Sequence, residues 1–176
     1  MYLNESHKEG DFTLVYLVNG QKGFVWSKDM LDYRQQNAAW ISRAEILTTA
    51  RQLLGQPYLW GGMTTGGLDC SGFIHTVFKV HRILLHRDAD LQYFNDGVSV
   101  ASNELEPGDL VFFETYTNGP SHLGIYVENQ KFIHTYYRES VSYASLEYPY
   151  FLQRFIGAKI IVTWKLLWLS NKLLCI

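Results

Sequence analysis

Apolar residues alternate with polar ones near the start of the chain, recur at helical spacing through its middle, and return to alternation after Pro107. Phe12 to Val18 (FTLVYLV) and Gly23 to Trp26 (GFVW) flank Asn19-Gly20, a pair that accepts the positive φ of a tight hairpin turn, so this segment predicts two strands. Met1 to Gly10 (MYLNESHKEG) reads as a polar tail that contains His7. A polar bridge, Arg34 to Asn37, leads to a first helix that Ser42 and Glu45 open as a capping box. Ile46, Leu47, Ala50, Leu53 and Leu54 carry its apolar spacing up to Gly55. A glycine-rich loop, Gly55 to Asp69, precedes a second helical run from Cys70 to about Arg82, with Phe73, Val77 and Val80 on one face. Arg87 to Phe94 predicts a short third helix. Asp109 to Glu114, His122 to Val127, Lys131 to His134 and Gly157 to Val162 then read as antiparallel strands. Helices followed by a run of strands is an α+β order, whereas a βαβ nucleotide fold interleaves them.

Composition narrows the picture. The chain has 176 residues, 47% hydrophobic and 18% charged, which excludes intrinsic disorder. Fifteen Lys plus Arg against seventeen Asp plus Glu leave a net charge of −2, without the basic surplus that a nucleic-acid partner requires. The N-terminal stretch lacks the apolar core of a secretory signal. The most apolar segment, Ile160 to Ile176, is broken by Lys165, Asn171 and Lys172 and falls short of the roughly 20 clean apolar residues of a membrane span. The expectation is a soluble chain with no integral membrane segment, cytoplasmic as written or exported if it is a mature fragment.

The candidate chemistry centres on Cys70. Cys70 and Cys175 are too few for a disulfide framework. Cys70 ends a glycine loop and begins a helical run. A helix N-terminus favours a thiolate and presents backbone N–H groups to an oxyanion, so the expected thiol pKa lies below its free value of about 8.5. Gly66, Gly67 and Gly72 are expected to keep the approach open for a substrate backbone. A buried structural cysteine is the plain alternative. The histidines favour chemistry. With Val127 and Lys131 beside a hairpin turn, His122 falls near Tyr136, and His134 is two residues off on the same face, within diagonal reach. A base oriented by a second polar group, set against a nucleophile at a helix start, is the generalised triad. Cys70, His122 and His134 are also possible zinc ligands. No H-x-x-x-H or C-x-x-C element supports that, no fourth ligand is marked, and no metal or other cofactor is expected. His75, His81 and His86 read as surface residues.

These residues carry a family resemblance. Pro57-Tyr58-Leu59-Trp60-Gly61-Gly62, Asp69-Cys70-Ser71-Gly72-Phe73, Pro107 to Phe113 (PGDLVFF), His122 to Tyr126 (HLGIY) and Ile133-His134 occur in the order found in NlpC-type cell-wall peptidases. That resemblance, covering roughly Ile41 to Ile161, implies a papain-like α+β fold with Cys70 as nucleophile, His122 as general base and His134 as its orienter. It also implies that the Tyr58 hydroxyl helps an oxyanion site. The substrate implied is a bacterial peptidoglycan stem peptide, cut between γ-D-glutamate and diaminopimelate or lysine. Members that carry an SH3-like module before the peptidase domain are similar here. In them the residue at Asp69, with Tyr58 and Ser71, holds the free amino terminus of an L-Ala peptide. Residues 1–37 are then a partial SH3-like module, 38–163 the peptidase domain and 164–176 an apolar tail. Arg87-Asp88-Ala89 and Gln92 resemble a downstream family segment that often has Ser at position 89. Two rivals stay open: an amidase or acyltransferase of the same fold, and an inactive or truncated module that binds peptidoglycan. The order Cys70 then His122 disfavours permuted lipid acyltransferases, which place His first.

Overall fold

The computed structural model describes residues 4–16, 20–29 and 42–161. The bridge at 34–37, Asn19, the tail at 164–176 and Cys175 lie outside the described residues. The chain divides into two compact units, residues 1–39 and 40–176.

The first unit is a three-stranded antiparallel sheet in the order β1-β2-β3, made of β1 (Asn4–Glu9), β2 (Phe12–Tyr16) and β3 (Lys22–Trp26). The hairpin expected around Gly20 forms, with Phe12 opposite Trp26 and Tyr16 opposite Lys22. The polar tail is a strand after all, and His7 pairs with Leu14 beside a bulge. Backbone pairing on an outer strand needs no apolar side chains, so alternation gave no sign of it.

The second unit begins with α1 (Arg43–Gln52). Ser42 accepts from the Glu45 N–H and Glu45 reaches back to the Ser42 N–H, so the capping box is complete. Short strands β4 (Met63–Thr64) and β5 (Gly67–Leu68) fold the glycine loop into a hairpin ahead of α2 (Cys70–Val80). Then come α3 (Ala89–Asn95), β6 (Val98–Val100), β7 (Leu110–Phe113), β8 (His122–Glu128), β9 (Lys131–Thr135), β10 (Val141–Ser145), α4 (Pro149–Leu152) and β11 (Phe155–Ile160). The six strands β6 to β11 form one antiparallel sheet in the order β10-β9-β8-β7-β11-β6. This is the expected α+β architecture.

Both faces of the sheet are buried. Ile46, Leu47 and Ala50 of α1 and Phe73, Ile74 and Val77 of α2 pack on Leu110, Leu123, Ile125 and Ile133. The opposite face holds Val111, Phe113, Tyr126, Phe132 and Phe151. Val80, expected on the buried face of α2, is 58% exposed, because the helix ends there and its apolar stripe runs through Ile74 and Phe78 instead. Strands β6 and β10 were not expected: they are short, rich in Ser, and pair at opposite edges of the sheet.

Candidate active site

The loop from Pro57 to Asp69 is fixed by its own backbone. The Tyr58 N–H donates to the Glu139 carbonyl at 3.0 Å, the Leu68 N–H to Pro57 at 3.0 Å and the Gly62 N–H to Leu59 at 2.8 Å. This delivers Asp69 to the N-cap of α2, where its Oδ1 accepts the Gly72 N–H at 2.6 Å. A side chain at Gly72 would collide with the Gly62 carbonyl, its Cβ falling 2.1 Å from that oxygen. The expectation that Gly72 opens a path for substrate is therefore corrected: this glycine admits the chain's own loop.

Cys70 is the first residue of α2 and is buried. Its Sγ lies 4.0 Å from the carbonyl oxygen of Ser121, and the backbone N–H groups of Cys70, Ser71 and Leu123 face the sulfur. Ser121 and Leu123 bracket His122, so the thiol sits at the entry of β8. The sheet brings the histidines together as expected. Ile125 pairs with Ile133 and Tyr126 with Phe132. His122 Nε2 and His134 Nδ1 are 2.9 Å apart, and the Tyr136 ring crosses His122 edge-on at 5.3 Å. Phe113, Phe132 and Phe151 wall the pair. Any side chain at Gly124 would strike Phe132 and the Ile133 carbonyl, so glycine lets β9 approach with His134.

Electrostatics departs from expectation. Burial, and then the negative charge of Asp69, push the Cys70 thiol up to about 12, against the lowering by the three N–H groups. A low thiol pKa was expected from the helix end alone, and desolvation outweighs it. Burial also lowers His134 to about 4 and, with the neighbouring His134, holds His122 well below its ordinary value. At neutral pH the group is therefore a neutral thiol beside two neutral imidazoles.

Asp69 is saturated. Besides Gly72, its Oδ2 accepts the Gly61 N–H at 2.8 Å, and the Arg87 guanidinium grips both oxygens at 3.0 and 2.6 Å. Arg87 Nη1 also donates to Ser71 Oγ at 2.9 Å. Fully buried Gln92 donates from Nε2 to the Ser71 and His86 carbonyls, tying the segment before α3 to the start of α2. The sequence pattern marked the Arg87 segment but did not assign Arg87 a partner.

Tyr58 stands close enough to Cys70 and Asp69 for their charges to act on it, and burial with those charges raises its hydroxyl to about 12. Tyr116, which the sequence did not mark, is raised to about 12 by burial and then by the same two residues. It meets Trp60 edge-on at 5.7 Å, while Tyr58 meets Tyr137 at 5.9 Å. Trp60 is 70% and Tyr116 60% exposed, so aromatic rings from separate loops stand near the thiol. The histidines expected at the surface are in part tied down: His75 Nδ1 meets the Leu85 carbonyl at 2.9 Å and His81 Nε2 meets Thr49 Oγ1 at 2.7 Å. Exposed His86 pairs with Asp96 at 2.8 Å. Among the described residues no group of three or more His, Cys, Asp or Glu side chains is placed to hold a metal ion.

Residues 55–160, over half of the chain, match the NlpC/P60 family. The chain belongs to the NlpC/P60 family. It is 42% identical over 116 residues to the probable peptidoglycan endopeptidase LytE of Bacillus subtilis, covering 66% of this chain and 34% of that protein. It is 36% identical over 149 residues to a gamma-D-glutamyl-L-lysine dipeptidyl-peptidase of Bacillus cereus, covering 82% of this chain and 44% of that protein. Among solved structures, an NlpC/P60 family protein from Bacillus cereus superposes with a TM-score of 0.80 at 32% identity, over 92% of this chain and 54% of its own. The chain thus spans less than half the length of those two curated relatives. Within this NlpC/P60 domain the motif blocks divide by role. The block around Cys70 meets the first histidine block where the sulfur approaches the Ser121 carbonyl, and the second histidine block reaches that place through the contact of His134 with His122. The Pro107 to Phe113 block instead braces α1: Arg43 Nη1 donates to buried Asp109 at 2.6 Å and to the Pro107 carbonyl at 2.9 Å.

Proposed function

We propose that this chain is a cysteine peptidase that hydrolyses the amide between γ-D-glutamate and diaminopimelate or lysine in peptidoglycan stem peptides. The observation that carries the reading is the buried 2.9 Å contact between His122 and His134 at the strand entry where the Cys70 thiol lies. The activities for which the two Bacillus relatives are named support the substrate class.

With His122 Nε2 committed to His134, its Nδ1 is the remaining site for a proton. His122 acts as base when its Nε2–H donates to His134 Nδ1, which leaves the Nδ1 lone pair free. As Sγ attacks the scissile carbonyl, the thiol proton passes to Nδ1, and the imidazolium is steadied by His134. Because thiol and imidazole rest neutral, this transfer accompanies attack and no standing ion pair precedes it. The Cys70 N–H and the Tyr58 hydroxyl, kept protonated, stabilise the oxyanion. Collapse returns the proton to the departing amine and leaves a thioester. His122 then takes a proton from water as it attacks the thioester, and returns that proton to the departing thiolate, restoring the neutral thiol and imidazole. No cofactor enters these steps. The amino terminus of an L-Ala peptide meets Asp69, Ser71 and Tyr58, sharing the carboxylate with Arg87. The three-stranded sheet of the first unit supports reading residues 1–37 as part of an SH3-like module.

The test is hydrolysis of L-Ala-γ-D-Glu-diaminopimelate, with its amino terminus free or acetylated, by the protein and its Cys70→Ala variant. Cleavage of the free form that is lost in Cys70→Ala supports the peptidase. Equal cleavage of both forms overturns the amine reading alone. Cleavage of neither overturns the substrate and favours a binding module.

A further inference from the structure

We propose that Arg87 is a positioning residue for the nucleophile: by gripping Asp69 it cancels a buried negative charge next to Cys70 and so makes the thiolate easier to form. This rests on the reading of Cys70 as nucleophile but not on the peptide it cleaves.

Asp69 is needed where it is. It caps α2 by accepting the Gly72 N–H at Oδ1 and anchors the loop by accepting the Gly61 N–H at Oδ2, so both oxygens of a buried carboxylate are in use one residue before the sulfur. An unpaired carboxylate there would oppose a thiolate at close range in a poorly solvated site. The two-pronged contact, at 3.0 and 2.6 Å, places the guanidinium charge against that carboxylate in the planar geometry only arginine offers. Nη1 also reaches Ser71, the residue after the nucleophile, so one side chain bridges both of its neighbours. Gln92 holds the segment in place by bonding the carbonyls of Ser71 and His86. The other titratable groups around the sulfur are His122 at the β8 entry and Tyr58 and Tyr116 from the flanking loops. Asp88 and Asp90, at the start of α3, act on Tyr116. Arg87 is a cation set beside these acids, and Asp69 first, with Asp88 and Cys70 adding to the effect, favours its charged form against the opposing effect of burial.

The test reads the thiol directly, without substrate. Alkylation of Cys70 by iodoacetamide, a neutral reagent, is followed between pH 7 and 8 in a Cys175→Ser background. On this acid limb the rate follows the thiolate fraction, so a rise of one unit in the thiol pKa appears as about a tenfold slower reaction. Arg87→Met is expected to react about tenfold more slowly. Asp69→Asn, which keeps a capping oxygen and removes the charge, should react several-fold faster than the parent. The double variant should return to within about threefold of the parent, and Arg87→Lys, which keeps the charge but not the two-pronged contact, should fall between the parent and Arg87→Met.

A purely structural Arg87 predicts something else: every variant slower or unchanged, and the double variant no better than Arg87→Met. Either that pattern or an Arg87→Met rate within twofold of the parent at unchanged melting temperature overturns the proposal. If Arg87→Met fails to fold, the sign of the Asp69→Asn change decides, and a rate no faster than the parent overturns it. A thiol inert in the parent protein defeats both this proposal and the nucleophile reading. A reactive thiol in a protein that cleaves no stem peptide defeats only the substrate.

Discussion

Two buried aspartates in this domain are held by arginines in much the same way, yet they serve different ends. Asp69 accepts two backbone N–H groups and a two-pronged Arg87. Asp109 accepts the Glu106 N–H and Arg43, which also reaches the carbonyls of Glu106 and Pro107 and the Glu106 carboxylate at 3.2 Å. Both aspartates belong to motif blocks that resemble the family pattern. What separates them is the neighbour. Asp69 precedes Cys70, the nucleophile of the proposed reaction, so in that reaction its charge state bears on chemistry. Asp109 immediately precedes β7 and pins α1 to the sheet, so its loss bears on stability. The lesson is that a motif block announces a constraint without saying whether packing or chemistry imposed it.

The sharpest way to test that division is to change each region and ask which property moves. Cys70→Ala should lower peptide cleavage by about ten-thousandfold or more, leaving only the contribution of binding and the oxyanion site. The melting temperature should stay within a few degrees, because the substitution removes one sulfur from a helix end. Residual cleavage within tenfold of the parent, measured on the same peptide, would remove the chemistry from this region altogether.

Acid exposes the one respect in which the site region governs stability. His134 is buried with a pKa lowered to about 4, and His122 is lowered too. In the unfolded chain both return to about 6.5, so between pH 6.5 and 4 the unfolded state binds more protons than the folded one. Stability is full above pH 6.5 and falls as the pH drops towards 4. His134 alone accounts for about 3 kcal/mol of that loss by linkage. Urea titrations at pH 7 and pH 4.5 should show the drop, and His134→Gln should lose less on acidification than the parent. Equal acid sensitivity in the two proteins would assign the effect elsewhere.

Much of this was legible because it is local. Ser42 and Glu45 announce a helix start within four residues, and the turn between β8 and β9 sets a register that brings His122 to His134. Cys70 at a helix start was equally readable. The tertiary surroundings were not. The direction of the thiol pKa depends on how far the sheet buries Cys70, and the partner of Asp69 arrives from a segment whose spacing says nothing of distance. Tyr116 and Trp60 come from separate loops, and no periodicity joins them. Strands β1 and β10 are held by backbone pairing at sheet edges, where side-chain alternation carries little signal.

The brace gives the next effect in size. Asp109→Ala leaves the Arg43 guanidinium without its buried partner and frees the Glu106 N–H, at a cost of about 2–3 kcal/mol, moderated because Arg43 is one-third exposed. For a chain of this size that is a fall of roughly 5–10 °C in melting temperature. The iodoacetamide rate of Cys70 should remain within twofold of the parent. A thiol rate that falls with the melting temperature would merge the two regions and undo the contrast between the aspartates.

The smallest expected effect falls on Tyr58. Its backbone is fixed through Glu139 and its ring packs edge-on against Tyr137, so Tyr58→Phe keeps the packing and removes only the hydroxyl. If that hydroxyl donates to the oxyanion, the loss appears in kcat at about tenfold, with KM and melting temperature nearly unchanged, since the bond is made in the transition state and not in the ground state. Because burial above all holds the hydroxyl protonated up to about 12, the loss should be the same from pH 6 to pH 9. A change in KM with kcat intact would instead place Tyr58 in ground-state binding, beside Ser71 and the Asp69–Arg87 pair, and would leave the Cys70 N–H as the oxyanion donor.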